Sequence, residues 1–375
     1  MTTLKKGGVL QRAVSFVSHL DASFGDYQWH ILLSEIVATE LKRTGVDLRH
    51  PSEVFAVSPA RSLEYRRRIC NAVNAQNADM LFTFAGPSYI SPRCPELMGV
   101  ADGWVTHATP AAFKSIPHRR DRWTLRIASK YKLHWFKTAD QYTVQTETAR
   151  QGLSRRGKVS LNRIHIVPNA LAKWYRTANF RPTDRSTDQP IQILYFAAAY
   201  SHKRHDLLPD VCHRLRALGI DNFCIRVTLP QESQIWKDVA AAAVELGVQE
   251  RIVNIGPVPV DQGANLYRDS HICFVPSILE TFSATYLEAM ATRTPIVACD
   301  LDFAREICGD SAVYFEPSSA NDAAQKIFDL LGSPSRMKRQ QDAGVQRLAM
   351  LPGVERQMEI YRETFDRFLN SCRST

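Results

Sequence analysis

The chain has 375 residues, 45% of them hydrophobic and 23% charged, a balance that excludes extended disorder, a collagen-like repeat and a membrane-embedded bundle. At ~100–150 residues per domain, the length predicts two domains. The net charge of +9 is unevenly spread: up to Phe180 there are 26 Lys+Arg against 13 Asp+Glu, a surplus of 13, and from Arg181 onward 21 against 25, a deficit of 4. Such asymmetry points to an anionic partner for the first half, whether nucleic acid, phospholipid or a phosphorylated acceptor. The longest unbroken apolar stretch, Ile193–Tyr200, is far short of the ~18–20 residues of a bilayer-spanning helix. Behind Lys5 and Lys6 the apolar segment is cut by Arg12 and Ser15 with no small-residue cleavage site, so the protein reads as cytoplasmic. Eight scattered cysteines, with no Cys-x-x-Cys pair and no zinc-spaced histidines, read as reduced structural thiols.

In chain order, strand-like runs at Ala13–Leu20, Met80–Ala85 and Tyr142–Gln145 alternate with helix-like stretches, notably Tyr27–Arg43 with its stripe of Ile31, Leu32, Ile36 and Leu41. The polar, turn-rich Arg181–Gln189 predicts a linker. Beyond it, Ile193–Ala198, Cys224–Leu229, Ile252–Ile255, Ile272–Val275, Pro295–Ala298 and Ala312–Phe315 are short apolar runs of buried parallel-strand character. Helical patterns lie between them at Asp206–Leu218, Gln231–Leu246, Gln262–Ser270, Ala284–Thr292 and Ala320–Leu331. The fold class is therefore α/β, with two doubly wound domains whose ligands bind beyond the carboxyl ends of the strands, in the cleft between them. Expected boundaries are 1–180, a linker at 181–190, and 191–353, with the helical segment 354–375 crossing back to the first domain. No repeat of 20–50 residues and no low-complexity segment is present.

The most informative run is PSILETFSATYLEAMATRTPIVACD, Pro276–Asp300. It reads as a strand end, a loop with Glu280, a helix starting near Phe282–Ser283 and bearing Glu288, and a new strand from Pro295. A helix start in a cleft offers backbone N–H groups and a positive dipole end, which suits a diphosphate. Glu288 lies roughly 8 Å deeper than that start at 1.5 Å rise per residue. The two carboxylates therefore hold different parts of a long ligand by accepting hydroxyl hydrogen bonds, a sugar at one end and a ribose at the other.

Here the residues resemble glycosyltransferase family 4, retaining enzymes of the GT-B fold. The signature of that family is Glu, seven residues, Glu, then Ala-Met and a Pro-Ile-Val strand. Glu280, Glu288, Ala289, Met290 and Pro295–Val297 match it in order. The likeness continues through Asn254–Ser277 and Asp300–Pro317. In YFAAAYSHKRHDLLPDV, Tyr195–Val211, Lys203 stands where members carry the lysine that neutralises the donor diphosphate, a point-charge role. Ala197 and Ala198 replace the usual Gly-Arg, and Tyr200, His202 and Lys203 fit a subgroup with a Tyr-x-His-Lys loop. The resemblance implies donor contacts from Glu288, Phe282, Ser283, Ala284, His202, Arg204, Val258 and Gly25, the last in a loop after the first strand. It implies catalytic roles for Glu280, Lys203 and His107. Gly86–Tyr89 looks like the acceptor-side loop, and Asn169 lies near the expected hinge.

The implied reaction transfers a hexose-type sugar from a nucleotide-diphosphate sugar to a glycan or lipid-linked saccharide, with retention by front-face attack, as in polysaccharide or lipopolysaccharide biosynthesis. No cofactor and no metal are implied, although Asp300-Leu301-Asp302 spells a metal-binding Asp-x-Asp. A sugar-nucleotide epimerase on the same fold and a non-catalytic anion or nucleic-acid binder are the alternatives. The absence of any nucleic-acid-binding signature weighs against the last. A dehydrogenase is excluded because no Gly-x-Gly-x-x-Gly follows a strand. As ordinary residues, Glu280 and Glu288 would be a solvated loop residue and a helix-face residue, Lys203 a surface lysine and His107 a core histidine.

Ala111–Lys137 carries eight Lys or Arg, interleaved with Phe113, Trp123, Tyr131, Trp135 and Phe136. It reads either as a solvated helix with its aromatics facing the core or as a basic amphipathic surface for an anionic membrane.

Overall fold

The computed structural model describes Met1, residues 8–176 and residues 190–373. The expected linker lies outside the described residues except for Pro190. The chain forms two compact units, one of residues 1–108, 120–170 and 352–375, the other of residues 109–119 and 171–351. Residues 171–176, placed by the sequence in the first domain, thus belong to the second unit. There the ring of Tyr175 packs edge-on against Tyr267 at 6.0 Å.

The first unit holds two parallel sheets. One pairs β1 (Ile31–Ser34) with β2 (Ser52–Phe55); the other has the order β3 (Leu81–Thr83), β4 (Glu96–Gly99), β5 (Gln141–Val144) and β6 (Ile164–Ile166). The run expected as a first strand, Ala13–Leu20, is instead the end of the helix Gly8–Ser18 and the start of the short helix Leu20–Ser23. Its buried residues Ala13, Val14, Phe16 and Val17 recur at helical spacing, which wins over the short apolar run. The expected helix Tyr27–Arg43 is likewise divided. Ile31–Ser34 is strand, and the helix starts only at Glu35, where the Ser34 hydroxyl accepts from the Val37 N–H as N-cap. The core of this unit gathers Phe16, Phe24, Leu33 and Phe84 with Met358, Tyr361 and Phe365 of the terminal helix Val354–Arg373. Phe16 meets Tyr361 nearly edge-on at 5.1 Å, a favoured aromatic geometry.

The second unit is one six-stranded parallel sheet in the order β12 (Ala312–Phe315), β11 (Ile296–Cys299), β10 (Ile272–Val275), β7 (Ile191–Tyr195), β8 (Phe223–Val227) and β9 (Ile252–Asn254). Every residue of β10 and β11 is buried, as continuous apolar runs covered on both faces require.

Glu96 on β4 is 2% exposed and accepts hydrogen bonds from Thr83 (2.5 Å) and Ser88 (3.3 Å). Burial outweighs those bonds, helped by Asp140, and pushes its carboxyl up to about 7. Because the folded-state value exceeds the unfolded one, the native chain binds the proton more tightly, and this stabilisation is complete below the unfolded value near 4.5 and lost as pH rises through about 7. Glu96→Gln is expected to remove that loss, worth up to about 3 kcal/mol, so its melting temperature should fall less than the parent's between mildly acidic and mildly alkaline pH. Parallel melting curves would show the assignment to be wrong.

Candidate functional site

In the six-stranded sheet the chain runs outward from β7 to β8 and β9, then returns to β10 on the other side of β7. The loops after β7 and β10 therefore leave the sheet side by side at a topological switch point, where open parallel sheets bind ligands. The loop after β7 makes two 3-10 turns, Ser201–Lys203 and His205–Leu207, divided by Arg204 in the left-handed region (φ +57°). The Ile278 N–H donates to the His202 carbonyl at 2.9 Å and joins the two loops. Below them the Tyr195 hydroxyl donates to the Lys203 carbonyl and lies 3.2 Å from Ser277 Oγ. So held, Lys203 Nζ forms an ion pair with Glu280 Oε1, the two side chains being only 14% and 11% exposed. A pair this shielded differs from a surface salt bridge: removing one partner strands a charge, at a cost of about 3–5 kcal/mol where burial is complete.

Glu288 lies on the helix Ala284–Ala291, is 6% exposed and accepts from the Tyr267 hydroxyl at 2.7 Å. Tyr175 also hydrogen-bonds it, and burial, the dominant effect, raises its carboxyl to about 7. The sequence assigns Glu288 to a ribose; the structure engages it with two tyrosines of its own unit. Gly263 keeps this arrangement possible, since a Cβ there would stand 2.4 Å from the Tyr175 hydroxyl and 2.8 Å from Phe196.

Of the other expected residues, Phe282 is half-buried, Ser283 is buried at the helix N-cap without capping through its side chain, and Ala284 is exposed. Thr285, one residue on, donates to the Phe196 carbonyl at 3.3 Å. The Arg204 guanidinium turns to Asp206 (2.9 Å) and Ser318 Oγ (2.5 Å). The His202 ring stacks on Tyr200 at 5.5 Å. Val258, half-buried, sits in the loop after edge strand β9. Asp300 of the Asp-x-Asp triplet is paired with Arg305, whose Nη2 donates to it at 2.7 Å. Among the described residues no group of three or more His, Cys, Asp or Glu is placed to hold a metal ion.

Two expected residues lie in the first unit. Gly25 is exposed in the turn between the helix Leu20–Ser23 and β1. It follows a helix rather than a strand, so the phosphate loop expected at that position is not formed there. His107 caps the helix Gly103–Thr106 with Nδ1 2.8 Å from Thr106 Oγ1. The helix Glu147–Gly157 approaches it so closely at Gly152 that a Cβ would lie 2.9 Å from that of His107. In the Gly86–Tyr89 loop, which begins with a cis Gly86–Pro87 bond, Tyr89 is 5% exposed and lies under the Arg66 guanidinium at 5.2 Å.

Sequence reasoning missed Tyr195, Ser277, Tyr175 and Tyr267, which support the two glutamates and Lys203. It also missed His205, 1% exposed, with both ring nitrogens buried without a hydrogen-bond partner. Burial lowers its imidazole to about 3, so it stays neutral against the Tyr195 ring, 4.6 Å away. Tyr267 stands in the Asn254–Ser277 run already singled out; Tyr175 has no local signal.

Residues 177–347 match the model of the family described as glycosyl transferases group 1. Among curated proteins, a D-inositol 3-phosphate glycosyltransferase of Mycolicibacterium gilvum is 30% identical over 43% of this chain and 37% of its own length. An uncharacterized glycosyltransferase of Methanocaldococcus jannaschii is 36% identical over 36% of this chain and 33% of its own. The chain spans well under half the length of the curated relatives it matches. Among solved structures, a glycosyltransferase from Rickettsia africae aligns with a TM-score of 0.73 at 18% identity, covering 98% of this chain and 96% of that one. Anabaena HepE, crystallised with UDP and glucose, aligns at 0.72 and 14% identity with 98% of each chain covered. The chain thus has the GT-B fold, with two Rossmann-like α/β units.

Proposed function

We propose that this protein is a retaining glycosyltransferase that moves a hexose-type sugar from a nucleotide-diphosphate sugar to a glycan or lipid-linked saccharide. The observation that carries this reading is the Lys203–Glu280 pair, held at the switch point just ahead of the helix that starts at Ala284. A donor diphosphate replaces Glu280 as the partner of Lys203, and the N–H groups of that helix start face it. Glu280, released, accepts hydrogen bonds from the sugar hydroxyls. Glu288 acts as a positioning residue through Tyr175 and Tyr267, in place of the ribose contact read from its spacing. Support comes from the family match over 177–347 and from HepE, whose structure holds UDP and glucose.

In this mechanism the bond from the anomeric carbon to the diphosphate oxygen breaks on the face that the acceptor oxygen attacks. The acceptor proton passes to the departing phosphate, and no side chain forms a covalent bond. Lys203 stabilises the developing charge, so the protein contributes placement and electrostatics. A divalent metal has no assigned role, and His107 remains the proposed neighbour of the transferred sugar.

The acceptor side is proposed to meet an anionic membrane surface. On the helix Arg119–Phe136, Trp123, Ile127 and Tyr131 form one stripe at intervals of four and are 65%, 62% and 45% exposed. Exposed Arg120 and Lys130 flank it. An apolar stripe with basic flanks suits the headgroup region, where each Lys or Arg adds ~1 kcal/mol. Among the described residues no helix is long and apolar enough to cross a membrane.

Glu280→Ala and Lys203→Ala are each expected to lower acceptor-dependent transfer at least about a hundredfold while leaving the circular dichroism spectrum unchanged. Near-parental turnover in both variants would sink the site assignment, and donor consumption without an acceptor would favour an epimerase. In vesicle flotation, the protein is expected to rise with anionic but not zwitterionic vesicles, and Trp123→Ser with Ile127→Ser to cut that binding about tenfold. Equal flotation of parent and variant would remove the helix from the membrane reading.

A further inference from the structure

The chain leaves β7 at Tyr195, passes through the turn Ser201–Lys203 and comes back at His205 to lie on the ring from which it departed. The imidazole and the Tyr195 ring have centroids 4.6 Å apart and planes tilted by 32°, within the range of a favourable aromatic pair. Both residues are buried. The Tyr195 ring carries the hydroxyl that donates to the Lys203 carbonyl and lies 3.2 Å from Ser277 Oγ. A contact that fixes this ring therefore fixes the bond to Lys203.

The turn between the two rings needs such anchors. Within it the backbone N–H groups of Lys203 and Arg204 donate to the Tyr200 and Ser201 carbonyls at 3.0 and 3.1 Å. Arg204 takes the left-handed conformation, φ +57°, which is unfavourable for a residue with a Cβ and persists only where its surroundings hold it. Tyr195 supplies the anchor at Lys203, and the stacked imidazole supplies the one at His205. His205 has no polar means of acting. Both its ring nitrogens are buried without a hydrogen-bond partner, so the stacked face is what it offers. Burial, with Lys203 and His202 adding to it, lowers the imidazole to about 3. The ring thus brings no second cation beside Lys203 near neutral pH.

We propose that His205 is a positioning residue for sugar transfer: stacked on Tyr195, its ring fixes the hydroxyl that holds the Lys203 backbone, and so sets where the Lys203 ammonium stands when a donor diphosphate takes the place of Glu280. This rests on the reading of Lys203 as the cation opposite that diphosphate. His205 itself touches no ligand and acts only through Tyr195.

The test measures transfer kinetics and backbone amide exchange in His205→Ala, His205→Phe, Tyr195→Phe and the double variant His205→Ala with Tyr195→Phe. His205→Ala is expected to raise the donor KM and lower kcat, each about tenfold, while the acceptor KM stays within about twofold. A loss of folded protein would lower kcat alone. The same variant should speed exchange at the Lys203 and Arg204 amides about tenfold and leave the β8 amides unchanged. His205→Phe keeps a flat ring on Tyr195 and should return both constants to within about threefold of the parent. Tyr195→Phe keeps the ring but deletes the bond to Lys203, so it should reproduce the losses. In that background His205→Ala should cost less than about a further twofold, because two residues acting through one bond are not additive.

Losses that multiply in the double variant would overturn the route through Tyr195, and a parental donor KM in His205→Ala would overturn the proposal. Should His205→Ala not fold, the single variants decide: a parental donor KM in Tyr195→Phe, or tenfold losses in folded His205→Phe, would overturn it. The two readouts also separate this proposal from the activity on which it rests. A parent that transfers no sugar, with faster exchange at Lys203 and Arg204 in His205→Ala, would remove the activity and leave the support of Lys203 standing. Transfer by the parent with unchanged kinetics and exchange in His205→Ala would do the reverse.

Discussion

The contact between Lys203 and Glu280 is the shielded ion pair at which the loops after β7 and β10 of the second unit meet. A lysine and a glutamate this shielded from water are tolerated only because each neutralises the other, and the sheet topology is what brings them together. Strands β7 and β10 are neighbours although two strands separate them in sequence, so their loops emerge side by side. The supporting bonds, from Ile278 to His202 and from Tyr195 to Lys203, join the two loops and hold the backbone at Lys203. In the proposed reaction, loops joined in this way would leave the charges little rearrangement to make as the leaving group departs. In the proposed mechanism Glu280 holds the position opposite Lys203 that a diphosphate would take, and the exchange of one anion for the other would couple donor binding to release of the carboxylate.

The two glutamates of the signature have divided environments. Glu280 lies in the loop, paired with Lys203; Glu288 lies on the following helix, buried and held by tyrosine hydroxyls. One is the proposed ligand contact and the other a support of the fold. Gly263 and Tyr175 extend that lower support to the start of the second unit, which explains why the segment after Ala170 belongs there rather than with the strands before it.

The second unit was legible because its strands β10 and β11 are buried on both faces and read as uninterrupted apolar runs, and all six strands overlap the runs that the sequence predicts. The first unit was harder. Ala13–Leu20 is short enough to satisfy either period, and only the helical spacing of Ala13, Val14, Phe16 and Val17 in the structure decides it. Ser34 ends a strand and caps a helix at once, so no turn residue marks the boundary inside Tyr27–Arg43. Gly25 was assigned on the strength of a preceding strand that is a helix. Lys203 and Glu280 could be found from local motifs, whereas Tyr175 acts through contacts with Tyr267 and Glu288, far away in sequence, which no local pattern records. The basic half of the chain has also become more specific. On the helix Arg119–Phe136 it exposes an apolar stripe, the surface proposed above for an anionic membrane.

The most direct test of the central claim is a crystal structure with a nucleotide diphosphate bound. The account predicts a phosphate oxygen within hydrogen-bond distance of Lys203 Nζ, beside the start of the helix Ala284–Ala291, with the Glu280 carboxylate turned away from the lysine. A complex in which the Lys203–Glu280 pair persists while the diphosphate binds elsewhere would contradict it.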